Sequence, residues 1–221
     1  MTTQDKENAE MIAAIQSDVL ATSHYLGKRS LSSRVLDALA HVPRHRFVPL
    51  AQRHLSYGNF PLPIGHDQTI SQPYIVAVMT DFLAITPRDR ILEIGTGCGY
   101  QTAVLAQLAK EVFSIEIISE LSRQADQVLR DLGYTNIHLR CGDGQFGWPE
   151  KAPFDGIMIT AAAPRIAPEL IAQLNVGGRL IGPVESTPGR QVLLEVVRTS
   201  QDQHATRETL PVVFVPMACA N

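Results

Sequence analysis

Apolar residues recur at helical spacing through the first third of the chain. From residue 90 they fall instead into short runs that alternate with helical stretches. Met11, Ile12, Ile15, Val19 and Leu20 share one face and predict a helix over 5–26. Ser30 can cap a second helix, with Leu31, Val35, Leu36 and Leu39 inward and Pro43 as its stop. Residues 43–50 read as a connector. Gly58, Pro61, Pro63, Gly65 and Pro73 interrupt any period over 57–73, so a long irregular loop is expected there, of a kind that is usually functional. A third helix is expected from near Ser71, burying Ile75, Val76, Met79, Phe82 and Leu83.

The second part is more regular. Strand 91–94, helix 100–110, strand 112–116 and helix 119–132 follow one another, and Gly133 ends the last. Strands 136–140 and 154–160, helix 166–174 and strand 179–182 come next, then strand candidates Gln191–Val197 and Val212–Val215. Strands alternating with helices imply an α/β fold with a doubly wound, mostly parallel sheet. One domain is expected over 1–221: a helical cap with an active-site loop over 1–80, packed on the ligand end of a Rossmann-like core over 81–221.

The junction of the first strand and its helix carries the chemistry. Gly95, Gly97 and Gly99 follow Ile91-Leu92-Glu93-Ile94, and the helix beyond them offers unpaired N–H groups. The spacing is not the G-x-G-x-x-G of dinucleotide sites. Read as E-x-G-x-G-x-G, it resembles the first motif of S-adenosylmethionine-dependent methyltransferases. There a methionine carboxylate meets the helix start, and Glu93 is expected to face the ligand's ammonium. Glu116 ends the next strand, where a carboxylate can accept from both ribose hydroxyls. Asp143 follows the third strand; it can accept from an adenine amino group, with Gly144 letting the base approach. An Asp-Gly turn is the commoner use of that dipeptide, and its place at a strand end favours the ligand. Ser71 has two readings, a helix cap or, with Thr69, a hydroxyl donor to a substrate anion.

Composition narrows the class. The hydrophobic fraction is 45% and the net charge is −3 with signs interspersed, so no basic stripe is available to hold nucleic acid. No apolar run reaches the length of a membrane span, and the polar start lacks a signal region, so a cytoplasmic location is expected. Cys98, Cys141 and Cys219 are too scattered for zinc or a disulfide framework. His41 and His45 are spaced like helical metal ligands, but Pro43 lies between them, and a turn with two solvated histidines is expected. No metal is expected.

At this point the chain resembles the bacterial protein-L-isoaspartate O-methyltransferases. The resemblance rests on Val42–Pro49, Ile70–Ala77, Ile91–Leu105, Gly142–Gly144 with Ala152–Asp155, Ala161–Pro164, Leu174–Leu180 and Phe214–Pro216. It implies a class I methyltransferase that esterifies the freed α-carboxylate of L-isoaspartyl residues in damaged proteins. The donor is S-adenosylmethionine, the product is S-adenosylhomocysteine, and the ester's closure to a succinimide begins repair. By resemblance Ser71 is the active-site serine. Thr69, Ile70, Ser71, Glu93, Gly95, Thr96, Gly97, Gly99, Glu116, Asp143 and Gly144 hold the cofactor. Thr69, Ile70, Ser71, Ala161, Ala162, Phe214 and Val215 meet the substrate. Isoaspartyl proteins and peptides are then the partners, with no nucleic acid, no membrane and a monomeric state expected. Two departures stand out. Cys98 takes a slot where serine is frequent, and Asp67 adds a negative charge near a site meant for a carboxylate. A methyltransferase for a small acid would share every cofactor residue, while a non-catalytic relative would be expected to lose the glycine loop or Thr69-Ile70-Ser71.

Overall fold

A computed structural model gives the fold and describes residues 3–218; Cys219 lies outside the described residues. The strand period of two divides the core into two apolar layers. Ile91, Val112 and Met158 face one side of the sheet, and Leu92, Ile94, Phe113, Ile115, Ile157 and Ile159 face the other. The strands concerned are β3 (Arg90–Ile94), β4 (Glu111–Glu116) and β6 (Phe154–Ile159). With β5 (Ile137–Cys141), β7 (Leu174–Thr187), β8 (Arg190–Arg198) and β9 (His204–Val212) they form one sheet in the order β5-β4-β3-β6-β7-β8-β9. The first five strands in that order pair in parallel, and β7-β8 and β8-β9 pair antiparallel. The chain winds outward from β3 through β4 to β5, then crosses to β6 on the other flank of β3. A crevice at the carboxyl ends of β3 and β6 follows from that reversal.

Helices α5 (Tyr100–Ala106) and α6 (Ser119–Asp131) cover the first layer, and α7 (Pro168–Ala172) covers the second. The N-terminal helices α1 (Thr3–Ala21), α2 (Ser23–Leu26), α3 (Ser33–His41) and α4 (Pro73–Phe82) join the first layer. Met11, Ile15, Leu39, Val76 and Met79 belong to the same buried cluster as Val104, Val112 and Leu129. The expected helix over 5–26 breaks at Thr22, whose hydroxyl donates to Asp18 O (2.7 Å) and meets the Tyr74 hydroxyl on α4 (2.5 Å). Ser30 is not a cap. Helix α3 starts at Ser33, and the amide of Ser32 donates to Asp81 Oδ1 of α4 (2.7 Å), so a neighbouring helix fixes that end.

Three other expectations are corrected. The supposed irregular loop holds a hairpin of β1 (Leu62–Gly65) and β2 (Gln68–Ile70), with Leu62 and Ile64 buried. Its two-residue turn places His66 and Asp67 at φ 52° and 57°, the left-handed region that such turns need. The strand expected at 179–182 begins at Leu174, because Leu174 pairs with Phe154 before residues 175–178 bulge and Arg179 pairs with Gly156. The strand expected at Val212–Val215 ends at Val212. Beyond it the chain lies against Ala162, whose amide donates to Val215 O while its carbonyl accepts from Met217 N, both at 2.8 Å.

Candidate active site

One cleft opens where β3, β4 and β6 end, with about 850 Å³ of empty space open to solvent. Its floor is the glycine loop. The amides of Gly95 and Thr96 donate back to Ile115 O (2.9 and 3.2 Å), so the loop is hung from β4. Thr160, just past β6, grips it from the other side: its hydroxyl lies 2.6 Å from Gly95 O and 3.0 Å from Ile94 O. A Cβ on Gly95 would stand 2.3 Å from that hydroxyl oxygen, and the residue sits at φ +97°. Glycine is therefore demanded twice, by the turn and by the close approach of Thr160.

Glu116 ends β4 and is nearly buried. Its Oε2 accepts from Gly97 N (2.7 Å) and its Oε1 from Ile118 N (2.9 Å). Each carboxylate oxygen carries further lone-pair capacity, and the residue lines the cleft. The carboxylate both braces the loop and presents acceptors to a ligand's hydroxyls. Gly144 also lines the cleft, and a Cβ there would come within 2.7 Å of Ile94 Cγ2. Asp143 forms the Asx turn, accepting from Gln145 N at 2.8 Å. It stands beside the cleft and not on its wall.

The opposite wall comes from the cap and the tail. Hairpin β1-β2 lies over the glycine loop, with Ile64 Cδ1 only 3.5 Å from where a Gly97 Cβ would sit. Gln68, Thr69, Ile70 and Ser71 line the cleft there, and Ala161 and Val215 line it across from them. Helix α4 is capped at Gln72 with no side-chain capping bond, so the cap reading of Ser71 fails. Asp67 is exposed at the hairpin turn, away from the cleft lining. Cys98 reaches the cleft with part of its surface, and desolvation pushes its thiol up to about 11, against ready formation of a thiolate.

Thus Thr69, Ile70, Ser71, Gly95, Thr96, Gly97, Glu116, Gly144, Ala161 and Val215 gather at one cleft. Gly99 sits behind it as the φ +88° start of α5. Ala162 is buried and serves through its backbone bonds to the tail, and Phe214 lies partly buried against the first apolar layer. Tyr100, Gln101, Ile117, Ile118, Thr160 and Met217 also line the cleft and were not singled out by the sequence.

Glu93 is the clear correction. It has no exposed surface and does not meet the cleft. The strand period turns it, like Ile91, toward α5, where its Oε2 accepts from the hydroxyls of Thr102 (2.5 Å) and Ser114 (2.6 Å). Ser114 spends its only proton on Glu93, so Thr96 donates to Ser114 (2.6 Å), and the acid braces the glycine loop from behind. Burial pushes its carboxyl up from 4.5 to about 8, against the pull of the two hydroxyls. An acid raised on folding binds more protons in the folded state, so this group makes stability fall as pH rises from about 4.5 toward 8. Glu93→Gln is expected to flatten that slope in denaturant titrations across the window and to leave cofactor affinity within about threefold. A large selective loss of cofactor affinity would restore Glu93 to the ligand.

Comparison with known proteins settles the family. The family model of protein-L-isoaspartate(D-aspartate) O-methyltransferase matches residues 19–221. The chain belongs to that family. The protein-L-isoaspartate O-methyltransferase 2 of Syntrophobacter fumaroxidans is 51% identical over 209 residues, covering 95% of this chain and 85% of that one. Its namesake from Nitrosococcus oceani is 50% identical over 96% of each chain. A solved protein-L-isoaspartate O-methyltransferase superposes with a TM-score of 0.78 at 26% identity, over 92% of this chain and 66% of that one. A Plasmodium falciparum member in complex with S-adenosyl-L-homocysteine shares the fold, with a TM-score of 0.75 at 21% identity. The isoaspartate methyltransferase fold thus extends over the cap as well as the sheet.

Proposed function

We infer that the protein transfers a methyl group from S-adenosylmethionine to the α-carboxylate of L-isoaspartyl residues in proteins and peptides, and so starts their repair. One observation supports the residue assignments above all: the Thr69–Ser71 stretch and the glycine loop with Glu116 face the same cleft. The donor set fits the cofactor. Backbone of Gly95, Gly97 and Gly144 lines the cleft, and Glu116 offers acceptor oxygens at the strand end where ribose hydroxyls belong.

S-adenosylmethionine supplies a methyl group on a positively charged sulfur and leaves as the neutral thioether. The acceptor carboxylate is ionised at neutral pH, so the chain needs no general base. Its task is alignment. Ser71 would hold one carboxylate oxygen by its hydroxyl and leave the other free toward the methyl donor that the glycine loop and Glu116 would hold. A single hydroxyl orients the anion without stabilising it so strongly that the barrier rises. Thr69 and Ile70 border the isoaspartyl group on the hairpin side, and Ala161 and Val215 form the facing wall, with Ala162 and Phe214 supporting it from behind. Isoaspartyl polypeptides are the partners, taken by a monomer in the cytoplasm without nucleic acid or membrane. No helix among the described residues is long and apolar enough to cross a membrane.

The repair itself is the test. An isoaspartyl peptide incubated with enzyme and S-adenosylmethionine is expected to convert progressively to the aspartyl peptide, as followed by chromatography. Methylation of small acids with no change in the peptide would move the assignment to a small-molecule acceptor. Glu116→Gln tests the cofactor half. One face of the amide would oppose an N–H of Gly97 or Ile118, and a charged acceptor is lost, so S-adenosylhomocysteine affinity should fall on the order of tenfold. Unchanged affinity by calorimetry would remove Glu116 from the cofactor site.

A further inference from the structure

Two buried side-chain polar atoms, Arg44 Nη1 and the Tyr100 hydroxyl, sit together behind Ser71 and face each other with no further partner. Arg44 has no exposed surface. Its Nε donates to Ser56 O and its Nη2 to Ser71 O, both at 2.8 Å, and its guanidinium carbon lies 4.7 Å from the centre of the Tyr100 ring. Tyr100 and Ser71 both line the cleft.

A buried guanidinium ordinarily has a carboxylate beside it, because an uncompensated charge in a dry interior is costly. Arg44 forms no ion pair among the described residues. Desolvation lowers its pKa, and the groups that oppose this are Tyr100, Cys98 and Tyr57, all neutral at neutral pH. Arginine nevertheless stays charged. The fold therefore keeps one positive charge, met by two carbonyls and by the Tyr100 ring and hydroxyl but by no carboxylate, immediately behind the serine assigned to the acceptor.

We propose that Arg44 is a positioning residue for the acceptor carboxylate: it clamps the carbonyl of Ser71, and its charge, which no carboxylate among the described residues pairs, takes the substrate's carboxylate as counter-charge across that peptide. This rests on the acceptor being a carboxylate, as inferred above. It also accounts for selectivity without an arginine in the cleft itself, where direct contact would hold the nucleophile too tightly to react.

The test compares an L-isoaspartyl peptide with its isoasparaginyl twin, in which the acceptor carboxylate is an uncharged amide. Binding of each is measured by calorimetry with S-adenosylhomocysteine present, for wild type, Arg44→Lys and Arg44→Gln. Wild type is expected to favour the charged peptide by about tenfold or more, the factor of one modest charge contact. Arg44→Lys should keep that preference while kcat falls about tenfold, because the two-armed clamp is lost. Arg44→Gln should reduce the preference to near unity while S-adenosylhomocysteine affinity changes by less than about threefold. A purely structural Arg44 would not move the ratio. Full discrimination in Arg44→Gln overturns the proposal, and so does a parallel loss of cofactor affinity in Arg44→Lys. Should Arg44→Gln fail to fold, Arg44→Lys decides alone: retained preference with lowered kcat supports the proposal, and lost preference overturns it. Failure of wild type to methylate the isoaspartyl peptide strikes the inferred activity, which distinguishes it from failure of the Arg44 proposal.

Discussion

Gly95→Ala is expected to abolish useful cofactor binding, lowering S-adenosylhomocysteine affinity by more than about 100-fold and stability by about 2–5 kcal/mol. The added methyl carbon would stand 2.3 Å from Thr160 Oγ1 at a backbone φ of +97°. Neither fault can relax cheaply. Thr160 is held by its own bonds to Ile94 O and Gly95 O, and its amide donates to Ile94 O at 2.9 Å. Pushing it away would detach β6 from the loop. Turning residue 95 out of positive φ would break the amide's bond to Ile115 O. The two costs are separable, since Thr160→Ala in the Gly95→Ala background removes the clash and leaves the strain. That double variant should regain part of the stability. Calorimetry with S-adenosylhomocysteine and urea unfolding check both statements, and a Gly95→Ala protein that binds like wild type would remove the glycine loop from the site.

Ser71→Ala is expected to lower kcat about 100-fold while S-adenosylhomocysteine affinity changes by less than about threefold. The size follows from alignment: without the hydroxyl, the acceptor carboxylate rotates among orientations of which few put an oxygen in line with the methyl group. The fold should survive, because Ser71 makes no capping bond to α4 and its structural link runs through its backbone carbonyl to Arg44. Ser71→Thr keeps a hydroxyl at the same place and should recover a measurable part of the rate. Equal losses of rate and cofactor affinity in Ser71→Ala would mark the residue as structural.

Gly95 was legible because its sequence signal is local, whereas the residues around Ser71 left a helix cap and a hydroxyl donor both open, and the assignment of Ser71 came from the resemblance. Three alternating glycines between an apolar run and a helical pattern specify a turn, and the turn is where the structure needs it. Glu116 was legible by its distance from Gly95 and its place at a strand end. Glu93 belonged to the same motif but was misassigned: its motif position suggested a ligand contact, whereas the strand period sends it to the face shared with Ile91, under Thr102. Which face of a buried parallel strand meets a helix is not written in a run that is apolar on both sides. The hairpin at 62–70 was hidden because its turn uses His66 and Asp67 in place of the usual Asn-Gly, and because Pro61 and Pro63 read as breakers. Pro63 is tolerated on an outward-facing position of a two-stranded hairpin that has free edges. Arg44 left no periodic signal at all. It lies in a short 3₁₀ turn, Arg44–Arg46, and a fully buried arginine is known only from the packing of Ser56, Ser71 and Tyr100 around it.

Acceptor choice is measured most directly by transfer of labelled methyl from S-adenosylmethionine to a synthetic L-isoaspartyl peptide beside the same peptide with normal aspartate. Base-labile label is expected on the isoaspartyl peptide alone. Equal labelling of both peptides, or none on either by a protein that binds S-adenosylhomocysteine, would contradict it.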